Sequence, residues 1–119
     1  TVYSNNDNLE ILNDFCQKLP YYLEFPDVKD DDGNYLIVVH AGIYKKDNWK
    51  QDTDSLIWTR GVPVKIPGTF QVFGHTPHKK VVKKDYWACV DTGVCFPGYH
   101  KLSAIQFPSM KIFEQDYYD

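Results

Sequence analysis

The sequence has no long hydrophobic run, no excess of positive charge and few cysteines. No apolar stretch approaches the roughly 18 residues of a transmembrane helix, so we expect no membrane partner. Thirteen Lys and Arg residues face sixteen Asp and Glu, and the net charge of −3 argues against nucleic acid as a partner. Three cysteines give no disulfide framework and are too few for a four-cysteine zinc site. Reduced thiols and the lack of a signal peptide predict a cytoplasmic protein.

Periodicity along the 119 residues predicts a single domain with one helix followed by short strands. Leu12, Phe15 and Leu19 share one face of a helix, within the range 1–20, that Pro20 ends. The apolar run Tyr35–Val39 predicts a strand buried on both faces. Further strands are expected over residues 21–25, 70–73, 81–82, 86–90, 102–107 and 111–113. Their hairpin-like spacing predicts a largely antiparallel sheet. Residues 44–56 are predicted to be irregular, with one or two helical turns, and residues 115–119 to be a loose end.

Two of the predicted strands run into a histidine that has a glycine nearby. His40 follows the strand 35–39 and precedes Gly42, and His75 follows Gly74 at the end of the strand 70–73. In sheets covered by helices, ligands gather beyond the strand ends, and imidazole suits Zn, Fe and, less typically, Mn. Two interpretations stay open from spacing alone: a shared metal site, or two hydrogen-bonded structural histidines.

Arg60 lies in the segment between these two histidines, close to Trp58. A guanidinium group binds phosphate through two parallel hydrogen bonds, although an ordinary surface arginine is the simpler alternative. Taken with His40 and His75, Arg60 predicts a metal-assisted phosphoester site.

The same segments resemble, in the same order, the motifs of the calcineurin-like metallophosphoesterases. Residues 36–43 (LIVVHAGI) are similar to the family's Val-His-Ala-Gly strand end, and residues 58–61 (WTRG) to its Trp-x-Arg segment. Residues 73–77 (FGHTP) resemble its Gly-His-Thr motif, and residues 91–94 and 102–105 resemble the Asp-Thr-Gly turn and strand that follow it. The likeness is to the serine/threonine phosphoprotein phosphatase and diadenosine-tetraphosphatase-like branch, and it covers nearly the whole chain.

The resemblance implies an α/β fold in which a two-sheet sandwich is flanked by helices. It implies that His40 and His75 ligate the second ion of a dinuclear Mn, Fe or Zn centre, and that Arg60 binds the substrate's phosphate. The implied activity is metal-dependent hydrolysis of phosphoesters in a phosphoprotein or a dinucleoside polyphosphate. His78 stands one position late for the family's Gly-His-x-His pattern, so we expect it at the surface.

Three upstream motifs of the family are not present in the sequence: Asp-x-His, Gly-Asp-x-x-Asp-Arg-Gly and Gly-Asn-His-Glu. In the family they supply the first metal's ligands, the bridging carboxylate and the general acid. Residues 1–119 therefore resemble the C-terminal half of a catalytic domain, which we expect to be inactive alone. The expected partners are a phosphorylated substrate and the missing N-terminal half or a companion chain, with a homodimer as a third option. The alternative function is a non-catalytic remnant or binding module that retains the fold.

Overall fold

The computed structural model describes residues 5–117 and has an α/β fold, as predicted. In chain order its elements are α1 (Asn5–Gln17), β1 (Tyr22–Lys29), β2 (Tyr35–Val39), a 3₁₀ turn (Trp49–Gln51), α2 (Thr53–Trp58), β3 (Thr69–Phe73), β4 (Val82–Lys83), β5 (Trp87–Cys89), β6 (Lys101–Gln106) and β7 (Lys111–Asp116). Helix α1 ends shortly before Pro20, which cannot continue it.

The prediction of a loose end at 115–119 was wrong for residues 115–116, which pair with β6 as part of β7. Residues 118–119 lie outside the described range.

The main sheet has five strands in the order β1-β2-β3-β5-β4. β1 and β4 pair antiparallel with their neighbours, but β2 pairs parallel with β3, and β3 with β5. The prediction of a largely antiparallel sheet was therefore wrong for the three central strands. The physical reason is that parallel neighbours need a connection that returns the chain to the end of the sheet where the first strand began. The segment that contains α2 does this between β2 and β3, and the segment that contains β4 does it between β3 and β5.

Each face of this sheet has its own apolar cluster. On one face Ile37, Val39 and Phe73 pack with Trp49 of the 3₁₀ turn and Leu56 of α2. Burying a side chain of this size contributes roughly 1.5–3 kcal/mol. The cluster therefore fixes α2, and the segment that follows it, against the strands.

The opposite face is covered in part by a second sheet. Strands β6 and β7 form an antiparallel pair, and Ile105, together with Phe107 and Met110 of the connecting turn, packs on Phe70 and Val72. The chain thus has a mixed five-stranded sheet and a small two-stranded sheet on one of its faces. The presence of two sheets in an α/β fold was predicted.

Two further expectations concern membranes and thiols. Within residues 5–117, no helix has the length and apolar content needed to cross a membrane. Cys16, Cys89 and Cys95 are unpaired; Cys89 is buried, and the other two are exposed.

Candidate metal and phosphate site

The parallel pairing of β2 and β3 brings the two predicted histidines to the same edge of the sheet. His40 directly follows β2, and His75 follows β3 after Gly74. The amide of Gly74 donates a 2.8 Å hydrogen bond to the carbonyl of His40, so the two segments stay paired beyond the strands. His75 then adopts a left-handed conformation with φ of 72°, which is uncommon for a residue other than glycine. The two imidazole rings lie with their centroids 5.0 Å apart.

Hydrogen bonds around these rings determine which nitrogen of His75 carries its proton. Nε2 of His75 lies 3.2 Å from the carbonyl oxygen of Trp58. Because a carbonyl oxygen only accepts, Nε2 is the donor, and Nδ1 of the neutral ring keeps its lone pair. That nitrogen lies 3.2 Å from Nε2 of His40, which therefore donates to it. Ring nitrogens held in this way by a carbonyl are typical of histidines that ligate metals.

The spacing of the two nitrogens also fits a shared ion. With metal–nitrogen bonds of about 2.0–2.1 Å, atoms 3.2 Å apart subtend an angle of about 100° at a common ion, close to tetrahedral. His40 would have to move its proton from Nε2 to Nδ1 in order to ligate. In the described part of the chain, no group of three or more His, Cys, Asp or Glu side chains could hold a metal ion.

Asp91 and a cleft complete the surroundings of His40. The cleft has a volume of about 430 Å³ and lies at the ends of β2, β3 and β5, with His40, His75, Asp91, Lys101 and Ser103 among its lining residues. Desolvation by burial lowers the pKa of His40, the charge of His75 lowers it further, and the Asp91 carboxylate opposes both. Neutral His40 is the form that ligates metals, so the lowered pKa favours the ligating form at neutral pH.

Arg60 joins the site through the loop that carries His75. It follows α2 by two residues, and its Nη1 atom donates to the carbonyl of His75 at 3.1 Å and to Oγ1 of Thr76 at 3.2 Å. All three predicted site residues therefore meet at one place. A guanidinium held on the loop of His75 can bind a phosphoryl group through two parallel hydrogen bonds.

Sequence reasoning assigned no role to Thr76 or Asp91, or to the Trp58 carbonyl. Asp91 follows β5 closely, as His40 and His75 follow β2 and β3, so a prediction of parallel central strands would have placed it at the site. The other two contacts depend on loop conformation and leave no pattern in the sequence. His78 is half-buried rather than exposed, and its amide donates to the carbonyl of Asp91 at 2.9 Å.

No protein-family model matches this chain, and a search of curated proteins found no match. The resemblance to the metallophosphoesterases thus rests on the ordered motifs.

Proposed function

We propose that this chain contributes part of the active site of a metal-dependent phosphoesterase. The observation that carries the proposal is the 3.2 Å separation of His40 Nε2 and His75 Nδ1, two nitrogens that face each other at the end of parallel strands. Arg60, whose Nη1 donates to the backbone carbonyl of His75, adds the group that binds phosphate. The ordered motifs support the same chemistry.

Each residue has a distinct role in this proposal. His40 and His75 hold one divalent ion, for which Mn, Fe and Zn are the candidates. When bound, that ion supplies Lewis-acid polarisation of the phosphoryl group. Arg60 binds the non-bridging phosphoryl oxygens and neutralises their charge. The cleft beside Asp91 receives the part of the substrate next to the phosphate.

Two imidazoles do not complete the ligand set of a structural or catalytic ion, so further ligands must come from elsewhere. We propose that a companion polypeptide segment supplies them and covers the apolar half of the sheet face that β6 and β7 leave open. On that half Leu23 and Phe25 of β1 are 48% and 39% exposed. Their partners across the ladder are Val38 and Leu36, so these four side chains share a face. A second copy of this chain is the other candidate for this position.

Metal binding by the full chain tests the proposal. We expect Mn²⁺ to bind with one site in isothermal titration calorimetry, and His40→Ala and His75→Ala each to weaken it at least tenfold. His78→Ala is the matched control, because its side chain is not part of the pair. Unchanged Mn²⁺ affinity in His75→Ala would overturn the proposal that His40 and His75 bind a metal ion.

Hydrolysis of p-nitrophenyl phosphate with excess Mn²⁺ tests the completeness of the site. For this chain alone we expect no turnover above the His75→Ala control. Turnover that is lost in the control would mean that a working site assembles without further ligands. It would overturn the proposal that a companion segment supplies them. Phosphate binding without any binding of Mn²⁺ would favour the alternative, a non-catalytic binding module.

A further inference from the structure

We propose that Thr76 is a positioning residue that holds Arg60 in the orientation needed to bind phosphate. The inference rests on the proposed function, because it assigns a task to Arg60 at that same site. It adds a residue that the sequence motifs leave without a role, and it links the phosphate-binding group to the loop of a proposed metal ligand.

The contacts of Arg60 are concentrated on one of its nitrogens. Nη1 carries two hydrogens, and it has two acceptors, the His75 carbonyl at 3.1 Å and Thr76 Oγ1 at 3.2 Å. Both hydrogens of that nitrogen are therefore used within the protein. Among the described residues, Nε and Nη2 of Arg60 have no hydrogen-bond partner.

The unused nitrogens form the edge of the guanidinium that binds oxyanions side-on. Nε–H and one Nη2–H point the same way, so they donate in parallel to two oxygens of a phosphoryl group. Holding Nη1 by two acceptors fixes the plane of the guanidinium and leaves this edge open. With the hydroxyl of Thr76 removed, Nη1 has one acceptor left, and the plane can rotate about that single bond.

Thr76 is itself held firmly enough to serve as an anchor. Its amide donates to the carbonyl of Gly74 at 2.9 Å, and its carbonyl lies 3.4 Å from Sγ of Cys89. Cys89 is fully buried in the apolar cluster. The anchor therefore connects Arg60 to the rigid core through one residue, as precise binding groups require.

The test compares threonine variants of the full, metal-free chain. Thr76→Val keeps the shape of the side chain and removes the hydroxyl, whereas Thr76→Ser keeps the hydroxyl. The matched control is Thr59→Val, because Thr59 is also half-buried, adjoins Arg60, and has its hydroxyl 3.1 Å from Ser55 Oγ instead. Inorganic phosphate is titrated and followed by ³¹P NMR, with Arg60→Ala as the reference for loss of the binding group.

We expect Thr76→Val to weaken phosphate binding by about three- to tenfold, the effect of one net hydrogen bond. Thr76→Ser and Thr59→Val should bind as the unmodified chain does. A second readout is the ¹⁵N relaxation of Arg60 Nε–H, which should report greater motion in Thr76→Val alone. Urea unfolding of every variant separates loss of the fold from loss of the anchor.

Three results would overturn the inference. The first is unchanged phosphate affinity in Thr76→Val while Arg60→Ala binds weakly, which leaves the proposed function intact. The second is an equal loss in Thr59→Val, which would show a general effect of the loop. The third is unchanged affinity in Arg60→Ala, which would remove the phosphate role from the proposed function as well.

Discussion

The carbonyl oxygen of Trp58 lies 3.2 Å from Nε2 of His75, and this one contact decides which nitrogen of His75 is free. It predicts that neutral His75 exists as the Nε2–H tautomer, with its lone pair on Nδ1. In the metal-free chain His40 should also carry its proton on Nε2, since it donates to His75. Long-range ¹H–¹⁵N NMR of the imidazoles reports both tautomers. Adding Zn²⁺ should move the His40 proton to Nδ1 and leave the His75 tautomer unchanged; an Nδ1–H tautomer of His75 would contradict the geometry.

The pKa of His40 gives a second prediction. Burial and the charge of His75 lower this pKa below 6.5, and Asp91 raises it in part. Below pH 6.5, His40 therefore binds a proton in the unfolded chain at pH values where it is still neutral in the folded chain. Because the unfolded state then binds more protons, the free energy of unfolding falls as the pH is lowered from 6.5 through the folded pKa. Asp91→Asn keeps the acceptor for the Gly93 amide and removes the charge, so it should lower the His40 pKa further. An NMR titration in which Asp91→Asn raises the His40 pKa would disprove the assignment.

The helix and most of the strands were predictable because they follow from local patterns of apolar residues and proline. The proximity of His40, His75 and Arg60 was predictable because residue types with strong chemistry stand at strand ends or close to an aromatic residue. The strand directions were not predictable, since a short α2 with one buried residue, Leu56, hardly differs in sequence from an irregular loop. Because the strand directions were predicted wrongly, the position of Asp91 at the site was not predicted; it follows from β5 lying parallel to β3.

Gln71 has a structural role that a third prediction addresses. It is fully buried in β3, its Oε1 accepts from the amide of Ile43 at 3.0 Å, and its Nε2 donates to the carbonyl of Val64 at 2.7 Å. Gln71→Leu would leave both backbone groups without a partner, at a cost of about 2–5 kcal/mol in the free energy of unfolding. Urea unfolding measures the change. The exposed Gln106→Leu is the control, and we expect it to change stability by less than about 0.5 kcal/mol.

Gly93, beside the candidate site, allows two steric effects to be separated. Its φ is 66°, and a Cβ there would lie 2.7 Å from Cβ of Tyr99, whereas Gly33 has a similar φ of 81° with open space around it. Gly33→Ala should therefore cost only the strain of a left-handed alanine, about 1–2 kcal/mol. Gly93→Ala adds the clash and should cost about 2–4 kcal/mol in urea unfolding. Equal losses in the two variants would show that the loop of Tyr99 moves away freely.

The apolar residues of α1 predict self-association of the isolated chain. Leu12 and Phe15 lie one turn apart and are 56% and 59% exposed, on a chain whose β1 also exposes Leu23 and Phe25. Apolar surface of this kind drives association when no partner covers it. Sedimentation velocity should show dimers or larger species that increase with concentration, and the double variant Leu12→Glu, Phe15→Glu should shift them toward monomer. Asn13→Glu adds a charge to another face of the same helix and should leave the distribution unchanged. A monodisperse monomer of the unmodified chain at the highest concentration would disprove the prediction, and with it the homodimer.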